Sequence, residues 1–301
     1  MKNSHMLVIG GTGFIGHHLL KSLQKESLNV TSVSLNPPKE KRFVSGVRYL
    51  HFDMLDQALV KKHIVDDFDF VVNLGGYINH KLFCDGGRIL IDQHFTALHN
   101  LLEVLPRGNL KRFVQIGSSD EYGNAPAPQH EELREKPISP YSLAKASSTH
   151  FLQMLNLTEN FPAVILRLFL TYGPGQDSIR FIPQTIRGCL ADTIFPTSAG
   201  GQLRDFCYVA DTTKAIIQSL VVPEAVGNVI NIASGEPVSI REMVEKICTL
   251  TGYGKPQYGE VPYRIGENMS LYANTTKAKR ILKWESSTSL DTGLNKTVNW
   301  F

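Results

Sequence analysis

The sequence predicts an α/β fold: a doubly wound parallel sheet with a smaller C-terminal substrate-binding α/β part. Three observations predict it. Short, continuous apolar runs rich in β-branched residues alternate with longer helical patterns from Met6 to Phe169, which is how strands covered by helices on both faces read. A glycine-rich turn, Gly10-Gly11-Thr12-Gly13-Phe14-Ile15-Gly16, separates the first run from the first helix. The chain has 301 residues, 42% hydrophobic and 20% charged, a globular balance with room for one large or two small domains at about 150 residues each.

Taken in order, the strand runs fall at 6–10, 30–35, 47–52, 70–74, 113–117 and 163–169, with the first helix over 14–25. Ser139 is a good N-cap and Pro140 a good first helical residue, so a helix starts there. Between 173 and 204 the pattern loosens and Pro, Gly and Ser increase, although Arg180-Phe181-Ile182-Pro183 reads as a helix start. Helical patterns follow over 210–221 and 239–251. The second opens on Ser239-Ile240-Arg241-Glu242, a capping box. A last helix covers 289–300.

Composition narrows the function. Lys plus Arg is 31 against 28 for Asp plus Glu, a net +3 with no long basic run, so charge gives no support for nucleic-acid binding. No apolar stretch reaches the roughly 18 residues of a membrane span, and the N-terminal run ends in glycines rather than a cleavage site. The four cysteines, Cys84, Cys189, Cys207 and Cys248, have no Cys-x-x-Cys spacing. They read as reduced thiols in a cytoplasmic protein, without a metal site or disulfide frame.

The glycine turn stands where a dinucleotide loop must: strand before, helix after, inside a βαβ-length unit. Its glycines let backbone approach a pyrophosphate, and the helix N-terminus offers N–H groups and a positive dipole end. Residues 1–172 are therefore read as a Rossmann-like dinucleotide-binding domain, with segments near 205–235 returning to it. Residues 173–301 are mainly the substrate-binding part. NAD binders usually carry an acid about 20 residues after the loop. Here the second strand ends Ser34-Leu35-Asn36, followed by Lys39, Lys41 and Arg42. Hydroxyl, amide and cationic groups suit a 2′-phosphate, so the reading favours NADP(H), with NAD(H) as the alternative. The plainer alternative is that these cations form a solvated loop.

Tyr141 and Lys145 lie one helical turn apart on one face. An ammonium there lowers a phenol pKa that is about 10 unperturbed, so the pair can move a proton at a carbonyl oxygen. Ser118, at the carboxyl end of the strand over 113–117, is placed to bond the same oxygen. Tyr-x-x-x-Lys alone is common by chance; Ser118, Tyr141 and Lys145 behind an N-terminal glycine loop form a far more specific set.

On these residues the chain resembles the extended short-chain dehydrogenase/reductases of the NAD-dependent epimerase/dehydratase family, which act on nucleotide sugars. The resemblance covers essentially the whole length. It implies Gly10, Gly13, Phe14, Ile15, Gly16, Ser34, Asn36, Lys39, Arg42, Asp53, Met54, Leu74, Gly75, Gly76, Tyr141 and Lys145 at the cofactor, with Asp53 meeting the adenine. It implies Tyr77, His80, Ser119, Asp120, Arg180, Arg204 and Arg264 toward a nucleotide-sugar substrate, and a homodimer formed by the helix near 88–105 and the Tyr141 helix. Three departures stand out. The family's usual Ala-Ala after the fourth strand is Gly75-Gly76, an expected Asn falls at His94, and Leu170 replaces an Asn that contacts the sugar nucleotide.

Four reactions stay open. Reduction of a 4-keto-6-deoxy nucleotide sugar at C4 comes first, because Gly117-Ser118-Ser119-Asp120-Glu121-Tyr122-Gly123 is similar to the matching run in deoxysugar 4-ketoreductases. C4 epimerisation is second, 4,6-dehydration third and decarboxylation last. For dehydration Asp120 is the candidate acid, one methylene shorter than the family's Glu. Glu121 points away if the chain is still extended there. The ordinary alternative for both is a turn carrying solvated carboxylates. His80 and His94 line the cleft or are structural. A non-enzymatic dinucleotide sensor is the remaining alternative, disfavoured because Ser118, Tyr141 and Lys145 are all present.

Overall fold

The computed structural model describes residues 1, 3–263 and 266–301. Its elements in chain order are β1 (His5–Ile9), α1 (Phe14–Leu23), β2 (Asn29–Ser34), β3 (Val47–His51), α2 (Gln57–His63), β4 (Phe70–Asn73), α3 (Arg88–Ile91), α4 (Ala97–Val104), β5 (Arg112–Ser118), α5 (Pro140–Glu159), β6 (Ala163–Leu168) and β7 (Leu170–Tyr172). They continue with α6 (Phe181–Leu190), β8 (Ile194–Thr197), β9 (Leu203–Tyr208), α7 (Val209–Val221), β10 (Val229–Ile232), β11 (Pro237–Ser239), α8 (Ile240–Thr251), β12 (Lys255–Tyr258), β13 (Ser270–Leu271), α9 (Thr276–Leu282) and α10 (Leu290–Val298). The chain divides into two compact units: Met1–Gly123 with Glu135–Arg167 and Thr213–Ile230, and Asn124–Arg134 with Leu168–Thr212 and Asn231–Phe301.

The first unit is built on a seven-stranded parallel sheet of order β10-β6-β5-β4-β1-β2-β3. The chain winds outward from β1 to β3, then returns to the other side of β1 as β4. The crevice at the carboxyl ends of β1 and β4 is the topological switch point, where this class of sheet binds ligands. Register follows the apolar runs: Met6 faces Val30 on one side and Phe70 on the other, and Val71 faces Phe113. Leu7, Ile9, Val71, Phe113 and Ile165 share a core with Leu98 and Leu101 of α4 and Leu152 and Leu155 of α5. Each such side chain contributes about 1.5–3 kcal/mol by leaving water. That core fixes the strand ends from which the site residues project.

In the second unit β9 pairs with β7, β11 and β13, and β8 pairs with β12. Two buried aspartates tie its loops down. Asp205 accepts hydrogen bonds from the Ser234 hydroxyl and from the backbone N–H groups of Ser234 and Gly235. Asp211 accepts from the Ser286 and Ser287 hydroxyls and the Thr288 N–H.

The units differ from the sequence-derived boundaries in three places. Residues 124–134 belong to the second unit, because Gln129 exchanges backbone bonds with Tyr272 and Asn274. Residues 168–172 also lie there, because β7 pairs with β9. The segment returning to the first unit is 213–230 rather than 205–235.

Candidate active site

The glycine turn closes tightly on itself. Gly10 adopts φ +80°, and a Cβ there would stand 2.9 Å from the Leu74 carbonyl oxygen. A Cβ at Gly16 would stand 2.3 Å from the Gly10 carbonyl oxygen, so α1 meets the loop only because residue 16 has no side chain. Gly13 is the N-cap of α1 and no side chain caps it. The first N–H groups of α1, beginning at Phe14 and Ile15, have no intrahelical partners and suit a pyrophosphate.

The tip of β2 reaches the same loop. Ser34 is buried and its hydroxyl accepts the Thr12 N–H at 3.3 Å. Arg42 donates to the Thr12 carbonyl at 3.3 Å, and its own carbonyl accepts from His17 Nδ1 at 3.0 Å. Burial holds the His17 imidazole below its ordinary pKa. Asn36 and Lys39 are exposed. Past β3, Asp53 is exposed and one carboxylate oxygen accepts the Leu55 N–H. The Met54 carbonyl accepts from Asn100. Past β4, Leu74 bonds to Ile9, and Gly75 to the Asn73 side chain.

The candidate catalytic corner forms where β5 ends and α5 begins. Ser139 caps α5 by accepting the Ser142 N–H, and Pro140 fills the first turn. Tyr141 and Lys145 are both buried. Lys145 Nζ lies 6.0 Å from the centre of the Tyr141 ring and donates to the Ile116 carbonyl at 2.8 Å, on the strand that ends at Ser118. Burial lowers the Lys145 pKa to about 8, against the nearby Glu121 charge, which raises it. Ser118 accepts the Asp120 N–H at 3.1 Å, which leaves its own O–H to donate.

Two sequence expectations need correction here. The strand does not continue past Ser118. Residues Ser119–Tyr122 form a 3-10 turn in which the Ser118 N–H donates to Glu121 at 2.8 Å. Glu121 is therefore no solvated carboxylate. It is fully buried, accepting from Arg167 at 2.9 Å and from the Thr149 hydroxyl at 2.8 Å. Arg167 also pairs with Glu135 and lies over the Tyr122 ring. The two carboxylates and the ring hold the guanidinium pKa above its usual value against the cost of burial. This network is the floor under Ser118. Its only signal in the sequence is a Glu and an Arg at adjacent strand ends.

Asp120 lies 3.8 Å from His80, and the His80 ring meets Tyr141 edge-on with centroids 6.0 Å apart. His94 meets Tyr141 edge-on from another element at 5.0 Å. Ser119 is buried and Tyr77 is exposed. Thus Ser118, Ser119, Asp120, His80, Tyr141 and Lys145 gather in the first unit.

Arg180 and Arg204 belong to the second unit. Arg180 is the partly exposed N-cap of α6. Arg204, expected at the nucleotide, is buried on β9, where it donates to the Asn268 carbonyl and pairs with Glu267. Arg264 lies outside the described residues. Among the described residues no group of His, Cys, Asp and Glu is placed to hold a metal ion, and no helix is long and apolar enough to cross a membrane.

A glycine loop at a sheet switch point, with Ser118, Tyr141 and Lys145 at the neighbouring strand and helix ends, is the arrangement of a dinucleotide-dependent enzyme of the short-chain dehydrogenase/reductase type. The model of the NAD-dependent epimerase/dehydratase family matches residues 6–233, and the chain belongs to that family. It is 26% identical to the UDP-glucuronate 4-epimerase of Thermodesulfobacterium geofontis over 98% of this chain and 95% of that protein. It is also 26% identical to the dTDP-glucose 4,6-dehydratase of Salmonella typhimurium, over 98% and 92%. Among solved structures it is similar to the UDP-glucuronic acid 4-epimerase of Bacillus cereus in complex with UDP-glucuronic acid and NAD. There the TM-score is 0.88 at 26% identity, covering 98% of each chain.

Proposed function

We propose that the chain is an NAD(P)-dependent nucleotide-sugar oxidoreductase acting at C4, and that its net reaction is reduction of a 4-keto-6-deoxy nucleotide sugar. The observation that carries the chemistry is the corner where Lys145, anchored at Ile116, lies beside Tyr141 at the strand end bearing Ser118. When bound, the dinucleotide supplies hydride chemistry at the sugar carbon. Tyr141 moves the proton at the sugar oxygen, a step that contributes about 10²–10⁴-fold. The Lys145 ammonium stabilises the phenolate, and Ser118 donates to the sugar oxygen. The family's nucleotide-sugar relatives support the substrate class.

Ser34 and Arg42 support the NADP(H) preference. Both already bond Thr12 of the glycine loop, so hydroxyl and cation stand where the second strand of a dinucleotide site meets the ribose. C4 epimerisation is the second reading, supported by the 4-epimerase names among relatives and by a neighbour bound to NAD. Dehydration ranks below both, because its candidate acid Asp120 is one methylene shorter than the family's Glu and lies 3.8 Å from His80. Exposed Leu143, Met154 and Leu157 on α5 support a homodimer, which light scattering would test. Four free thiols support a cytoplasmic setting.

One experiment separates the two net reactions. Purified protein is unfolded and its released dinucleotide identified. The emptied protein is then titrated with NADPH and NADH, and supplied with a 4-keto-6-deoxy nucleotide sugar or with UDP-glucose and UDP-glucuronic acid. Tighter binding of NADPH and turnover of the keto sugar support reduction. Stoichiometric bound NAD and interconversion of the UDP-sugars would overturn it in favour of epimerisation.

A further inference from the structure

Gly76 and His94 depart from the family pattern together, and the structure joins them. A Cβ at Gly76 would stand 2.1 Å from His94 Cε1 and 2.5 Å from Nδ1. The imidazole occupies the space an alanine methyl would fill. Gly76 also adopts φ +93°, so a glycine is required there twice. His94 sits in a π-turn, Asp92–Thr96, joining α3 to α4. Such turns occur mostly as single-turn bulges within helices, frequently at functional sites. The side chain is 5% exposed, its Nε2 donates to the Tyr77 carbonyl at 3.1 Å, and its Nδ1 has no partner among the described residues.

Three costs to folding meet at this one place: a glycine in the left-handed region, a buried imidazole and a buried acceptor without a donor. An unmatched acceptor alone costs about 1–3 kcal/mol. Local rules broken together, without a stabilising return, mark sites kept for function. What the arrangement gains is contact with Tyr141, whose ring His94 meets edge-on at 5.0 Å.

We propose that His94 is a positioning residue for Tyr141, admitted by the glycine at 76, and that its imidazole edge fixes the phenol relative to Lys145. The inference rests on the reading of Tyr141 as the proton-transfer residue. The groups facing Tyr141 include His80 with Asp120 behind it, His94, and Lys145 with Glu121 acting on it. Burial and the Lys145 charge hold the His94 pKa down at about 3. Over the working range Lys145 is therefore the cation of the corner, and a second cation against the phenol is avoided.

Two measurements test this. The first is a double-mutant cycle in thermal unfolding of the full chain, with Gly76→Ala made alone and in a His94→Ala background. The φ strain that the substitution introduces is common to both, so the clash with the ring appears as the difference. We expect a clearly larger Tm loss in the presence of His94; equal losses would overturn the pairing. The second compares His94→Asn with wild type in turnover, in cofactor Kd and in the pH–rate limb that Tyr141→Phe abolishes. A misplaced phenol predicts turnover down by about a hundredfold, cofactor Kd within about twofold, and the limb moved by about one pH unit. An unmoved limb with normal turnover would reduce His94 to packing and overturn the proposal. If Tyr141→Phe itself keeps its turnover, the parent reading fails instead, and the thermal cycle still decides the pairing.

Discussion

Tyr141 is the residue on which the proposed chemistry turns. Tyr141→Phe removes one oxygen from a ring already held by α5 and by two imidazole edges. We expect turnover to fall by about 10²–10⁴-fold, with NAD(P)H affinity unchanged in a fluorescence titration. Near-normal turnover would remove Tyr141 from the mechanism. Arg167 is the contrasting case, structural rather than chemical. Arg167→Met leaves the fully buried Glu121 without its guanidinium partner. Breaking such a pair costs about 3–5 kcal/mol, to be read from urea unfolding; a loss under about 1 kcal/mol would mean solvent already reaches Glu121. At this scale the sequence is legible where a motif has a fixed spacing. Ser118, Tyr141 and Lys145 project from a strand end and a capped helix start, so spacing dictates their place. Glu121 is not legible, because extended and 3-10 geometries send its side chain opposite ways. The partners that hold the 3-10 geometry, the Ser118 N–H, Arg167 and the Thr149 hydroxyl, meet that carboxylate only in three dimensions.

At the scale of elements, the apolar runs locate every strand of the first unit up to β6 to within a residue or so; most of these strands are buried on both faces and have little choice of composition, whereas β3 at the sheet edge is only half-buried. The helix starts at Phe14, Pro140 and Ile240 are equally legible from the residues around them. The π-turn before α4 is not. It goes with a three-dimensional coincidence, the His94 imidazole against the Gly76 Cα, and neither departure implies the other along the chain. The glycine loop gives the sharpest element-level test. In Gly16→Ala the new methyl would stand 2.3 Å from the Gly10 carbonyl oxygen, backbone that cannot rotate away. The start of α1 must shift, carrying the N–H groups that would face a pyrophosphate. We expect dinucleotide Kd to rise by at least about tenfold, since misplacements near 1 Å cost about a hundredfold elsewhere. An unchanged Kd would show that the loop does not hold the cofactor.

For the whole molecule, a large first unit and a smaller second one are visible as a change in pattern near residue 173. The two crossovers of the chain, at 124–134 and 213–230, are harder to see, because which unit a loop joins is decided by pairings such as Gln129 with Tyr272 and Asn274. The fold as a whole also carries the linkage cost of keeping His94 uncharged. An unfolded chain protonates this imidazole near pH 6.5, whereas the folded chain holds out to about 3. Between those values the unfolded state binds more protons, so stability rises with pH. The contribution is fully present above about 6.5 and is lost as pH falls toward 3. Each unit of separation is worth about 1.4 kcal/mol, so wild type should lose roughly 2 kcal/mol more than His94→Asn between about pH 7.5 and about pH 5. The two proteins share every other residue, so those contributions cancel in the difference. Urea unfolding of the two proteins at both pH values measures it directly. Parallel losses would mean that His94 is protonated in the fold and that a second cation already stands against Tyr141. Lys145, lowered from 10.5 to about 8, gives the same sign in a separate window. Lys145→Met should remove a rise in stability between about pH 8 and about pH 10, a window above that of His94, and because the Lys145 charge helps hold the His94 pKa down, it should also narrow the His94 window from its acid end.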